Sequence, residues 1–102
     1  MTWIDAGLTD NLGEGQTKSI AVGRRMIAVI RSGGAYFAIE DICTHDGAQL
    51  TGGEIEGNEI ICPRHGARFC LRTGEALTPP AYEPVRVFET KIENGRLWVR
   101  SD

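Results

Sequence analysis

Only three cysteines and two histidines occur in the 102 residues, so the position of each is informative. There is no Lys/Arg run, and the formal net charge is −3. Nucleic acids and anionic membranes are bound through clustered cations, so both are poor partners for this chain. Mild acidity suits a carrier that docks on another protein, and it also simply aids solubility. No stretch approaches the ~18 apolar residues that a spanning helix requires. The opening Met1-Thr2-Trp3-Ile4-Asp5 has no basic segment and no apolar run of signal length. Arg24-Arg25 lies inside the folded pattern and does not read as a twin-arginine signal. A cytoplasmic protein is expected. Sustained 3.6-residue periodicity is also missing, as are repeats and low-complexity segments. No glycine-rich dinucleotide fingerprint follows a strand, which excludes a nucleotide-linked reductase.

What is present reads as β-structure in one domain, 1–102. Trp3-Ile4-Asp5 predicts a short first strand, and residues 11 to 16 a turn-rich connection. Thr17 to Val22 and Arg25 to Arg31 predict strands, the second apolar enough to be buried. Ser32-Gly33-Gly34 predicts a hairpin turn into Ala35 to Glu40, with Tyr36 and Ala38 on one face and Phe37 and Ile39 on the other. Residues 46 to 51 have room for one helical turn at most. Glu54 to Glu56, Glu59 to Ile61 and Ala67 to Leu71 are shorter extended pieces. Val85 to Ile92 predicts one long strand, joined through Asn94-Gly95 to a last strand at Arg96 to Arg100. The fold class is all-β, an antiparallel sandwich or partly open barrel. Its basal part is built from about 1–40 and 77–102, with a small subdomain at about 41–76 inserted between.

The histidines and two of the cysteines come in pairs, Cys43-Thr44-His45 and Cys62-Pro63-Arg64-His65. Singly, each Cys would read as a small buried residue and each His as a surface one. Together they offer two thiolates and two imidazoles to one metal centre. A structural zinc accepts that set, and so does a 2Fe-2S cluster with two Cys on one iron and two His on the other. Zinc sites usually present Cys-x-x-Cys on a hairpin and paired His on a helix. Here each loop carries one of each, and no helix follows the second pair. A binuclear centre accounts for this better. With two cysteines committed to metal, Cys70 stands alone and no disulfide is possible, which fits a reducing compartment.

Cys43-x-His45-x-Gly47 and Cys62-Pro63-x-His65-Gly66 resemble the signature of the Rieske family. Over the whole chain the resemblance is to the small Rieske-type ferredoxins of bacterial ring-hydroxylating dioxygenase systems. It implies the Rieske fold, with Cys43 and Cys62 on the inner iron of one 2Fe-2S cluster and His45 and His65 on the outer. It implies a one-electron carrier and no enzyme, taking electrons from an NAD(P)H-dependent reductase and passing them to a terminal aromatic-ring dioxygenase. Both partners would dock transiently at the His45/His65 tip of a monomer. The oxygenase itself would need a further iron held by two His and a carboxylate, and both histidines are already used. A small Rieske subunit of a larger enzyme, such as a nitrite reductase, is the alternative, followed by a zinc-stabilised interaction module.

Respiratory Rieske proteins carry an additional disulfide, a Ser and a Tyr around the cluster. The matching positions here are Ala48 and Arg64, Ala67, and Phe69. With those donors missing, the expected potential lies near the low end of the Rieske range, about −150 mV. Imidazole ligands titrate, so the potential is expected to fall at alkaline pH. Gly47, Gly66 and Thr78-Pro79-Pro80-Ala81 are expected to shape the loops around the cluster. Cys70 is expected to be a buried small residue. Trp3 and Trp98 are expected to pack at the core or an edge, and Asp46 either to face a partner or to be solvated.

Overall fold

The computed structural model describes residues 2–45 and 47–101 of the chain. Strand β1 (Trp3–Leu8) leads through a 3-10 turn at Thr9–Asn11 to β2 (Thr17–Val22), β3 (Arg25–Ser32) and β4 (Ala35–Glu40). Three short strands follow, β5 (Ile55–Glu56), β6 (Glu59–Ile61) and β7 (Arg68–Cys70). The chain ends with β8 (Val87–Phe88), β9 (Thr90–Glu93) and β10 (Arg96–Arg100). All pairings are antiparallel, in three sheets ordered β1-β10-β9, β2-β3-β4-β8 and β5-β6-β7. No closed barrel forms among the described residues, and none of them is in an α-helix.

The second sheet is the middle layer, and β3 shows why. Ile27, Ala28, Val29 and Ile30 are all buried, in sequence. Alternating side chains leave opposite faces of a strand, so four consecutive buried residues mean that both faces are covered. Ile27 and Val29 pack with Ala6, Leu97 and Val99 of the first sheet. Ala28 and Ile30 pack with Ile60 and Phe69 of the third. Strand β4 divides the same way, with Tyr36 and Ala38 in the first core and Phe37 and Ile39 in the second. The expected facing of these four residues is therefore observed.

Two expectations need correction. Val85 to Ile92 is not one strand. Val85 lies in a loop, where its N–H donates to the Gly74 carbonyl at 2.8 Å. Beyond it, β8 pairs with β4 while β9 pairs with β10, so the chain crosses from the second sheet to the first at Glu89. Phe88 of β8 reaches the core between the two sheets whereas Ile92 of β9 is exposed, and the sequence carries no mark at the crossing. The first strand is also longer than expected, running to Leu8, with a register shift between Asp5 and Leu8.

Candidate metal centre

Each Cys-His pair lies in a loop with the same backbone hydrogen bonds. The Cys43 N–H donates to the Ala48 carbonyl at 2.7 Å, and the Gly47 N–H donates to the Cys43 carbonyl at 2.8 Å. In the second loop the Cys62 N–H donates to the Ala67 carbonyl at 2.7 Å, and the Gly66 N–H to the Cys62 carbonyl at 3.0 Å. Each loop thus folds back on its cysteine and closes at a glycine four residues on. Gly47 and Gly66 have φ of +80° and +75°, a region that a side chain disfavours. The glycines predicted to shape the loops do so, although the histidine stands at the third position of one loop and the fourth of the other.

The loops face each other with a clear polarity. Cys43 and Cys62 are 0 % and 1 % exposed, inside the core that holds Leu50, Ile60 and Phe69. His45 and His65 are both exposed, and their rings meet edge to face with centroids 5.0 Å apart. A single tetrahedral ion needs all four donors around one point. Among the described residues, no three His, Cys, Asp or Glu side chains converge in that way. A two-iron cluster asks for two soft sulfur donors at one end and two imidazoles at the other. Sulfurs within and imidazoles outside fit that demand.

Neighbouring segments hold the loops in place. Leu77 and Thr78 run beside β7, through Leu77 N–H to the Arg68 carbonyl (2.8 Å) and Arg68 N–H to Thr78 Oγ1 (3.0 Å). A cis peptide joins Pro79 to Pro80. The chain then reaches the first loop, where the Thr44 hydroxyl donates to the Glu83 carbonyl at 2.7 Å. A Cβ at Gly53 would overlap the Ile61 carbonyl oxygen, so glycine lets this turn lie against the strand entering the second loop. Thr44 and Gly53, and Asp41, whose carboxylate accepts the Leu50 and Thr51 N–H groups just beyond the first loop, lie outside the expected site residues. Nothing in a linear pattern marks which carboxylate or hydroxyl will meet a loop closed by other segments.

The remaining expected residues have the following places. Ala67 and Phe69 are fully buried, Ala48 is half-buried and Arg64 is exposed. Cys70 is half-buried, not buried, because it alternates with Phe69 and so leaves the core face of β7. Hydrogen bonding from Thr73 outweighs burial and holds its thiol below the ordinary value of 9.0. Trp3 and Trp98 sit on the first sheet, opposite the face of Leu97 and Val99, and the Lys91 ammonium lies 4.4 Å from the Trp3 ring centre. Neither belongs to the core around Cys43 and Cys62. Asp46 lies outside the described residues.

Comparison with known proteins points to the same kind of metal centre. Residues 2–89 match the model of the Rieske [2Fe-2S] domain. The chain is 36% identical over 100 residues to the ferredoxin component of naphthalene 1,2-dioxygenase/salicylate 5-hydroxylase systems from Ralstonia sp, covering 98% of this chain and 96% of the relative. It superposes on the ferredoxin of carbazole 1,9a-dioxygenase from Nocardioides aromaticivorans IC177 with a TM-score of 0.94 at 29% identity, over 100% of both chains. In a solved complex of reduced oxygenase and oxidized ferredoxin of carbazole 1,9a-dioxygenase, the matched chain gives a TM-score of 0.90 at 34% identity, covering 95% of this chain and 91% of that one. With the buried cysteines, the facing histidines and the match over most of its length, the chain belongs to the Rieske [2Fe-2S] domain family.

Proposed function

We propose that this chain is a one-electron carrier of an aromatic-ring dioxygenase system. It would hold one Rieske-type 2Fe-2S cluster through Cys43 and Cys62 on one iron and His45 and His65 on the other. The observation that carries this reading is the facing of two matched loops, with sulfurs buried and imidazoles exposed. When bound, the cluster supplies a reversible one-electron couple. The residues of the chain do the rest. The apolar wall of Leu50, Ile60 and Phe69 keeps water from the sulfur side. His45 and His65 present the outer side to a partner at the protein surface, where electrons enter and leave. No further iron site or nucleotide fold is required, so the chain is an electron-transfer component and not itself an enzyme.

The partners we infer are an NAD(P)H-dependent reductase and a terminal aromatic-ring oxygenase, docking in turn at the His45/His65 tip of a monomer. Such redox encounters bury little area and dissociate quickly. Relatives named as ferredoxin components of naphthalene dioxygenase systems favour a carrier over a subunit of a nitrite reductase. Residues 1–40 and 77–102 would form the basal part, and 41–76 the cluster-binding part. With two cysteines committed to ligation, Cys70 has no disulfide partner, which supports a reducing compartment that we read as the cytoplasm. Among the described residues, no helix is long and apolar enough to cross a membrane.

A spectroscopically monitored redox titration at several pH values tests the reading. The expected result is a reversible one-electron couple near the low end of the Rieske range, about −150 mV, falling at alkaline pH. A potential flat into strongly alkaline solution would contradict imidazole ligation. Colourless protein with stoichiometric zinc, prepared from iron-rich medium without chelator, would return the site to a zinc module.

A further inference from the structure

Asp41 lies outside the proposed ligand set, yet it accepts more hydrogen bonds than any other carboxylate among the described residues. Its Oδ1 accepts the N–H groups of Leu50 and Thr51, both at 2.8 Å. Its Oδ2 accepts the hydroxyls of Thr51 at 2.7 Å and Ser19 at 2.8 Å, and the amide of Gln49 at 3.4 Å. Its own N–H donates to the Met26 carbonyl at 2.9 Å. Residues 49 to 51 follow the loop that carries Cys43 and His45, and Asp41 precedes it by two residues. The side chain therefore closes that loop at its base and ties it to β2 through Ser19. Among the described residues from 41 to 54 none lies in a strand, so no backbone ladder takes over this task.

The surroundings also define the charge. Backbone N–H groups only donate, and two occupy Oδ1, while three further donors converge on Oδ2. That arrangement suits an anion, because the two N–H groups on Oδ1 can only donate and the two hydroxyls on Oδ2 are free to donate to a charged oxygen. Asp41 is 5 % exposed, and no ion pair to it occurs among the described residues. A buried anion that only dipoles compensate acts over a longer range than a surface one, because water screens it poorly.

We infer that Asp41 is a positioning residue for the metal centre, whose carboxylate sets the Cys43–His45 loop and lowers the potential of the site by a fixed negative charge. This rests on Cys43 and His45 being ligands. Hydrogen-bonded groups behind the ligands commonly tune both geometry and potential.

The test compares holo-protein of wild type, Asp41→Asn and Ser19→Ala by redox titration, with the electron paramagnetic resonance spectrum of the reduced form. In Asp41→Asn the amide oxygen still accepts Leu50 and Thr51, and the Ser19 and Thr51 hydroxyls turn to accept from the amide nitrogen. The charge goes and the shape stays. The midpoint should shift positive. Ser19→Ala removes one donor from the anion, so its midpoint should shift negative, by less. Simple loosening of the loop would move both variants the same way, and that result, or no shift in either, overturns the inference. If Asp41→Asn fails to retain the cluster, Ser19→Ala decides alone: a negative shift supports the role and an unchanged midpoint overturns it. A wild type that assembles without a 2Fe-2S spectrum sinks the carrier reading, and the inference falls with it.

Discussion

The loop at Cys62 is built into a hairpin, whereas the loop at Cys43 is not. Strand β6 ends at Ile61, and β7 begins at Arg68, so the second loop is the connection between two paired strands. Antiparallel pairing of Glu59 with Cys70, Ile60 with Phe69 and Ile61 with Arg68 brackets it, and any sequence able to form strands would supply that pairing. The first loop leaves β4 at Glu40, and its described residues enter no strand until Ile55. It reaches the same backbone hydrogen bonds, but side chains hold it: Asp41 at the base, and Thr44 against the Glu83 carbonyl. One geometry is therefore reached through backbone pairing in one loop and through particular side chains in the other. The second loop should tolerate most surface substitutions nearby, and the first should not.

The largest expected effect attacks the strand-built loop from beneath. Phe69 on β7 is fully buried among Ile60, Leu71 and Cys62. Phe69→Ala should cost about 3–5 kcal/mol, through lost burial and a residual cavity. Urea unfolding of the holo-protein measures it, and a loss below about 1 kcal/mol would mean that the core does not hold this loop. A smaller effect is expected at the side-chain-built loop. Thr44→Val removes the hydroxyl donated to Glu83, at a cost of about 1 kcal/mol. Cluster loss in chelator should also quicken, and an unchanged loss rate would detach Thr44 from the comparison.

The smallest effect concerns the hairpin that delivers the first loop. Gly33 and Gly34 turn β3 into β4, and their N–H groups donate to the Glu14 carboxylate at 2.6 and 3.1 Å. These bonds, with Arg31 nearby, hold the Glu14 carboxyl below its ordinary 4.5. A depressed folded value adds stability that is present above 4.5 and is lost as pH falls through the folded value. Thermal unfolding in acid should therefore show a shallower loss for Glu14→Gln than for wild type. Parallel acid profiles would remove Glu14 from the account.

Much of this was legible in the chain. The four donors stood out because the sequence has so few His and Cys, and because each pair sits within a single short loop. The facing of Tyr36, Phe37, Ala38 and Ile39 followed from strand alternation alone. The crossing at Glu89 did not, since β8 and β9 continue one pattern while serving different sheets. Nor did the partial exposure of Cys70, which depends on which face of β7 meets the core.

Residue order, then, marked the candidate donors, the β-rich pattern and the turns, all of which depend on spacings within a few residues. Folding settled what depends on distant segments meeting. It brought the rings of His45 and His65 to 5.0 Å, and it buried Asp41 by drawing donors from Ser19 and from residues 49 to 51 onto one carboxylate. A buried carboxylate is stable only with its partners in place. Those partners lie far apart along the chain, so no local pattern announces them.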